Sequence, residues 1–131
     1  MEVTLKLTEK QAEVVVAALD LYSRILIGQT EEVERVYRWL PGDRLSLKKL
    51  QTAKHLLDDV KHVLWGFLPG SSYGIHHPDV HDDARKAFDL QQVIRNTIAR
   101  TKNPKGGSQV IYDTPTQTST EEPLATIEVK L

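Results

Sequence analysis

The stretch from Thr8 to Gly28 constrains the fold most strongly, because residues 12–27 are mostly apolar and helix signals bound the stretch at both ends. Thr8 and Gln11 have the spacing of a capping box, and Gly28 is the first residue that permits a break. Between Ala12 and Ile27 only four residues are polar, and they gather on one narrow side at about 100° per residue. They are Glu13, Asp20, Ser23 and Arg24. We therefore predict a helix from Glu9 to Gly28 that is central to the fold or packs against another subunit.

Three further helices are predicted from helical periodicity. The second runs from Thr30 to Leu40 and is ended by Pro41-Gly42. The third starts near Ser46 and reaches about Gly66, and the fourth runs from Asp82 and Asp83 to about Thr101. The predicted buried face of the third helix is Leu50, Ala53, Leu57, Val60, Val63 and Leu64. The apolar stripe of the fourth is Ala84, Ala87, Phe88, Ile94 and Ile98.

Both ends of the chain alternate apolar and polar residues, which is typical of half-buried strands. The pattern covers residues 2–7 and 125–131, and residues 109–113 form a third short strand pattern. We predict an α+β fold, in which about four helices pack on a small antiparallel sheet formed by the N-terminal strand and the C-terminal strands. Residues 1–131 are predicted to be a single domain. Within it, residues 114–123 are rich in Thr, Pro and Glu and are predicted to be a mobile connector to the last strand.

Composition excludes several classes of protein. The net charge is −1, from 17 basic and 18 acidic residues, so no global field attracts a polyanion and nucleic acid is disfavoured as a partner. The chain has no cysteine, no apolar run near 20 residues and no basic-then-apolar leader after Met1. We accordingly expect a cytoplasmic protein that does not bind a membrane.

The loop Pro69–Asp83 is unusually long for a compact domain and holds three of the five histidines. Loops of this length are usually binding loops, lids or disordered segments, and this one has apolar residues with which to dock. Its histidines and acidic residues resemble metal ligands in type but not in spacing, because Pro78 breaks the local geometry. They are His76, His77, Asp79, His81, Asp82 and Asp83. We expect a ligand-contacting or solvated loop, with no metal and no cofactor.

Gln91 and Arg95 lie within the apolar stripe of the fourth helix, where a guanidinium needs an anion or several acceptors. One interpretation is that Arg95 holds a ligand carboxylate or phosphate. The other is an internal ion pair, for instance with Asp20 or Asp89, or an arginine whose head reaches water at the edge of the stripe.

Complete catalytic motifs are absent from the sequence, so we expect a protein that is not an enzyme. No Ser lies in a G-x-S-x-G elbow, and no phosphate-binding glycine motif follows a strand. Ser72 and its neighbours could still supply backbone donors. Tyr73 could stack on a base or sugar, or it could pin the loop to the core.

Three segments together resemble a group of small, functionally unassigned proteins of tailed phages and prophages. They are Leu19-Asp-Leu-Tyr-Ser-Arg24 with Gly28-Gln29, then Ser72-Tyr-Gly-Ile75, then Ala87-Phe-Asp-Leu-Gln-Gln-Val-Ile-Arg95 with Gly106-Gly107 and Asp113-Thr-Pro115. The likeness spans roughly residues 19–115. Members of the group tend to carry a basic or aromatic residue after the arginine matched to Arg95, where this chain has Asn96-Thr97. The resemblance implies a phage context and no established activity.

In that context we expect a non-enzymatic protein that sequesters a host nucleotide second messenger of antiviral defence. The residues expected to contact the ligand are Arg24, Gln29, Ser72, Tyr73, His76, Gln91 and Arg95. We expect Arg95 and Tyr73 to share one pocket, and a homo-oligomer to form through the apolar first helix. Two alternatives stay open: a phage protein that binds and masks a host protein, and a small histidine- or metal-dependent hydrolase.

Overall fold

The computed structural model describes residues 1–39 and 46–131, and these contain four α-helices and one short 3-10 helix. The α-helices are α1 (Glu9–Leu26), α2 (Glu32–Trp39), α3 (Leu47–Trp65) and α4 (Asp82–Lys102), and the 3-10 helix is Val110–Tyr112. The predicted end of the second helix at Leu40 and Pro41-Gly42 lies outside the described residues. None of the described helices combines the length and the apolarity needed to cross a membrane.

The predicted sheet is wrong, because the described residues contain no strand and the fold is all-helical. An alternating segment becomes a strand only where a second strand satisfies its backbone groups. Residues 1–8 and 125–131 have no such neighbour, and Val3 and Leu5 at the N-terminal end are exposed. The third predicted strand, at residues 109–113, is instead a 3-10 turn whose Ile111 carbonyl accepts a hydrogen bond from Asn96 on α4.

The helix ends follow the local sequence signals. The Thr8 hydroxyl accepts from the Gln11 backbone, and the Gln11 side chain accepts from the Thr8 backbone, which confirms the predicted capping box. Ser46 caps α3, and Gly66 ends it at a φ of 73°. The turn after α1 requires glycine at position 28, where φ is +95° and a Cβ would lie 3.1 Å from the Phe67 ring.

The most enclosed helix is α4, which packs against α1 on one side and against residues 110–120 on the other. The α1 contact is antiparallel, because Ser23 Oγ donates to the Ala84 carbonyl at 2.8 Å near one end and Glu9 pairs with Lys102 at the other. The expectation that the first helix is central is therefore not met within one chain. Its apolar surface is only partly covered, and Val14 lies in solvent.

Within residues 1–39 and 46–131, α2 is the only helix on which α3 packs. The Thr30 hydroxyl donates to the Leu57 carbonyl at 2.9 Å, and Leu50 is buried. Three residues of the predicted buried face are exposed, so that part of the prediction is wrong: Val60, Val63 and Leu64. The reason is tertiary, since α2 has only eight residues and leaves one side of α3 uncovered.

Candidate functional site

The long loop is held in place by Arg85, a buried residue of α4. Its guanidinium donates to three loop carbonyls: Ile75 at 2.8 Å, His77 at 2.7 Å and Val80 at 3.1 Å. Asp82 lies 3.5 Å from the same guanidinium and supplies a counter-charge. This role of Arg85 is not apparent from the sequence, because Arg85 lies off the apolar stripe and no spacing rule links it to carbonyls ahead of its own helix.

Tyr73 is half-buried and docks the loop onto the core. Its ring meets the edge of Phe67 at a centroid distance of 4.9 Å and overlies His77 at 4.4 Å. Its backbone N–H donates to the Ile27 carbonyl, and its side chain packs against the cluster of Ile27, Val80 and Ala84. These contacts show that Tyr73 pins the loop, and one ring face is already covered by an imidazole.

Arg24, Gln29 and Ser72 form a hydrogen-bonded chain at the same end of α4. Arg24 Nη1 donates to Gln29 Oε1 at 2.9 Å, and Gln29 Nε2 donates to Ser72 Oγ at 3.4 Å. Arg24 also lies 3.0 Å from an Asp20 carboxylate oxygen and 3.7 Å from one of Glu32. Since two carboxylates already balance its charge, Arg24 is poorly placed to bind a further anion.

Gln91 and Arg95 lie one turn apart on the side of α4 that faces α1, and both carry a buried polar atom without a hydrogen-bond partner. The atoms are Gln91 Oε1 and Arg95 Nε. Gln91 is only 3% exposed. The two internal partners considered for Arg95 are engaged elsewhere, because Asp20 pairs with Arg24 and Asp89 accepts from Thr118 and Ser119. Buried polar groups in folded proteins rarely lack partners.

The structure does not bring Tyr73 and Arg95 together within one chain. Tyr73 packs at the Ala84 end of α4. Arg95 follows Ala84 by eleven residues, which is about 16 Å along a helix axis. The candidate residues therefore divide into two groups, with Arg24, Gln29, Ser72 and Tyr73 near the loop and Gln91 and Arg95 further along α4.

The loop histidines shape the local backbone. His77 Nδ1 accepts from the Asp79 backbone and His81 Nδ1 from the Asp83 backbone, so His81 caps α4. His76 is exposed, and so are His55 and His62 on α3. Within residues 1–39 and 46–131, no group of three or more His, Cys, Asp and Glu side chains is arranged to hold a metal ion.

A second site that the sequence did not reveal is the attachment of residues 118–120 to α4. Asp89 accepts from the backbone and hydroxyl of Thr118 and from the backbone of Ser119. Asp82 accepts from the hydroxyl of Ser119 and from the backbone of Thr120. Burial would raise the pKa of Asp82, but these hydrogen bonds together with Arg85 outweigh it and lower the pKa to about 2. We call residues 118–120 the strap.

Comparison with models of known protein families, with curated proteins and with solved structures found no match to this chain.

Proposed function

We propose that this protein is a non-enzymatic binding protein for a small anionic, nucleotide-like ligand, with Arg95 and Gln91 as its principal contacts. The observation that carries the proposal is the pair of unpartnered buried atoms, Arg95 Nε and Gln91 Oε1. A guanidinium donates in a fixed fork that suits phosphate or carboxylate, and an amide oxygen accepts from a base or ribose. A bound ligand would satisfy both atoms at once.

The class of ligand is taken from the resemblance to small tailed-phage proteins. In that setting the proposal is the sequestration of a host nucleotide second messenger of antiviral defence, by a homo-oligomer in the host cytoplasm. Tyr73 packs at the Ala84 end of α4, too far from Arg95 of the same chain to share a pocket with it. A stacking role for Tyr73 therefore requires the loop of a neighbouring copy. Gln29, Ser72 and His76 are secondary contacts at that loop, whereas Arg24 is not, because Asp20 and Glu32 already balance its charge.

The direct test is isothermal titration calorimetry against cyclic dinucleotides and cyclic ADP-ribose isomers, with wild type and Arg95→Ala. Loss of a charge-assisted hydrogen bond should weaken binding by about tenfold to a hundredfold. Because Arg95 has no ion pair within the described residues, the variant should keep the thermal stability of the wild type. Arg35→Ala is the matched control, since Arg35 is an exposed arginine paired with Glu32 on α2.

Absence of binding across the panel would overturn the messenger hypothesis. Unfolding of Arg95→Ala would instead point to an internal role for the arginine. The two alternative functions give different results in the same experiment: a hydrolase would return an altered ligand, and a masking protein would bind none of the panel and require a host protein. The turn and capping roles of His77 and His81 give the hydrolase no support.

A further inference from the structure

One flank of α3 that α2 leaves uncovered carries a row of exposed aliphatic residues. Leu56, Val60, Val63 and Leu64 are 61%, 44%, 80% and 65% exposed. Their spacing of four, seven and eight residues from Leu56 places them on one face of the helix. We call this row the α3 strip. Isolated apolar residues are common on protein surfaces, but a contiguous row on one helix marks an interaction site.

The charges of α3 are unfavourably placed for an isolated helix. Its first turn contains Lys48 and Lys49 and no acidic residue, although the positive end of a helix dipole lies there. The two lysines at the amino end of α3 would be stabilised by negative charge from outside the helix. The carboxyl end of another helix provides such charge, because its free carbonyl groups carry partial negative charge.

We infer that two copies of this chain associate through the α3 strip, with their α3 helices antiparallel about a two-fold axis. Such an interface is self-complementary, and pairing Leu56 of one copy with Val60 of the other brings Val63 against the small Ala53. The same register places Lys48 and Lys49 beside the carboxyl end of the other copy's α3. The inference specifies the oligomer included in the proposed function, but it places the contact on α3 instead of the first helix that the sequence led us to expect. It does not depend on ligand binding.

The size of the strip sets the expected affinity. Exposed apolar patches that mark binding sites measure about 300–600 Å², and stable interfaces bury at least about 1,200 Å² in total. Two patches of that size total about 600–1,200 Å², which reaches the lower limit for a stable interface at most. We therefore expect a dimer with a dissociation constant on the order of micromolar.

Sedimentation velocity without ligand tests the association. Wild type should move from a 14.8 kDa species to one of twice that mass as its concentration rises through the micromolar range. Val63→Glu should weaken association on the order of a hundredfold or more, because dimerisation would bury an unpaired carboxylate. Val14→Glu is the control, since Val14 is 68% exposed on α1 and lies outside the strip. Circular dichroism checks that both variants remain folded.

Cross-linking tests the orientation, and the absence of native cysteine makes introduced thiols specific. Under mild oxidation, the double variant Leu56→Cys/Val60→Cys should form a covalent dimer, whereas Leu56→Cys alone should not. Cross-linking of the single variant would mean parallel helices or an antiparallel register centred on Leu56, and either would exclude the proposed register. Absence of cross-linking in a dimeric double variant would exclude it too. A monomeric wild type, or a dimer disrupted by Val14→Glu and unaffected by Val63→Glu, would overturn the inference. None of these results bears on Arg95, so they are separable from failure of the proposed function.

Discussion

At the scale of single residues, the most unusual feature is Lys61, which is fully buried beneath α2. Its ammonium lies 2.7 Å from a Glu31 carboxylate oxygen, and neither atom makes a further hydrogen bond. The two partners differ in their access to water, because the Glu31 side chain is 23% exposed and the Lys61 side chain is not exposed at all. Removing one partner therefore has a different effect from removing the other.

We predict that Glu31→Gln destabilises the protein more than Lys61→Met. The first change leaves a buried ammonium without a counter-charge, at a cost of about 3–5 kcal/mol in the free energy of unfolding. The second leaves a carboxylate that can reach water. Urea denaturation of both variants measures the difference, with Lys54→Met on the exposed side of α3 as the control. A larger loss for Lys61→Met would contradict this account of the pair.

At the scale of elements, the strap shows how a segment without apolar residues is held on a helix. Residues 114–123 contain no apolar residue other than proline, yet the carboxylates of Asp82 and Asp89 bind the strap through backbone and hydroxyl donors. The glutamate beyond it adds an ion pair, since Glu121 lies 2.7 Å from Lys86. The hydrogen bond to Glu121 raises the pKa of Lys86, and the hydrogen bond to Asp83 adds a smaller effect in the same direction. Together they outweigh burial, which lowers the pKa.

We predict that the Thr120 end of the strap detaches from α4 when Asp82 is protonated. The pKa of Asp82 is about 2 in the folded protein and ordinarily about 3.9, so its contribution is complete above pH 4 and is lost as the pH falls through about 2. The amide chemical shift of Thr120, followed by nuclear magnetic resonance between pH 5 and pH 2, reports the change. Asp82→Asn should abolish this titration. A midpoint near pH 4 in the wild type would show that the strap does not stabilise the carboxylate.

At the scale of the whole molecule, stability should be distributed unevenly. Packing encloses α4 between α1 and residues 110–120, whereas the short α2 is the only described helix that α3 contacts. Regions with few buried apolar contacts open locally at lower free energy. The protein is therefore expected to contain a slowly exchanging part around α4 and a more rapidly exchanging α3.

Hydrogen–deuterium exchange should show this difference. In dilute protein, we expect amides of α4 to exchange most slowly and those of residues 56–64 to exchange faster than the rest of the described helical core. Raising the concentration into the micromolar range should protect residues 56–64 selectively, because association through the α3 strip would cover them. Equal protection of α3 and α4 in dilute wild type would contradict the uneven distribution of stability. Val63→Glu, which should not associate, serves as the reference.

The sequence by itself determined the helices and their ends, because those depend on neighbouring residues. The capping box at Thr8, the cap at Ser46 and the break at Gly66 act over three or four positions and are readable without a fold. The sequence also identified the long loop and the anomalous position of Arg95. It could not reveal Arg85 or the strap, because their partners lie 5 to 10 and 29 to 38 positions away.

Only the tertiary structure decided whether each apolar pattern found a partner. Residues 2–7 and 125–131 alternate so that a strand there would have one apolar and one polar face. Whether such a segment becomes a strand also depends on hydrogen bonds to a second strand, and therefore on where distant segments lie. Likewise, Val60 and Val63 satisfy the pattern of a buried helix face, and they are exposed because α2 covers a different side of α3. Periodicity specifies which residues share a face, whereas burial depends on which element packs against that face.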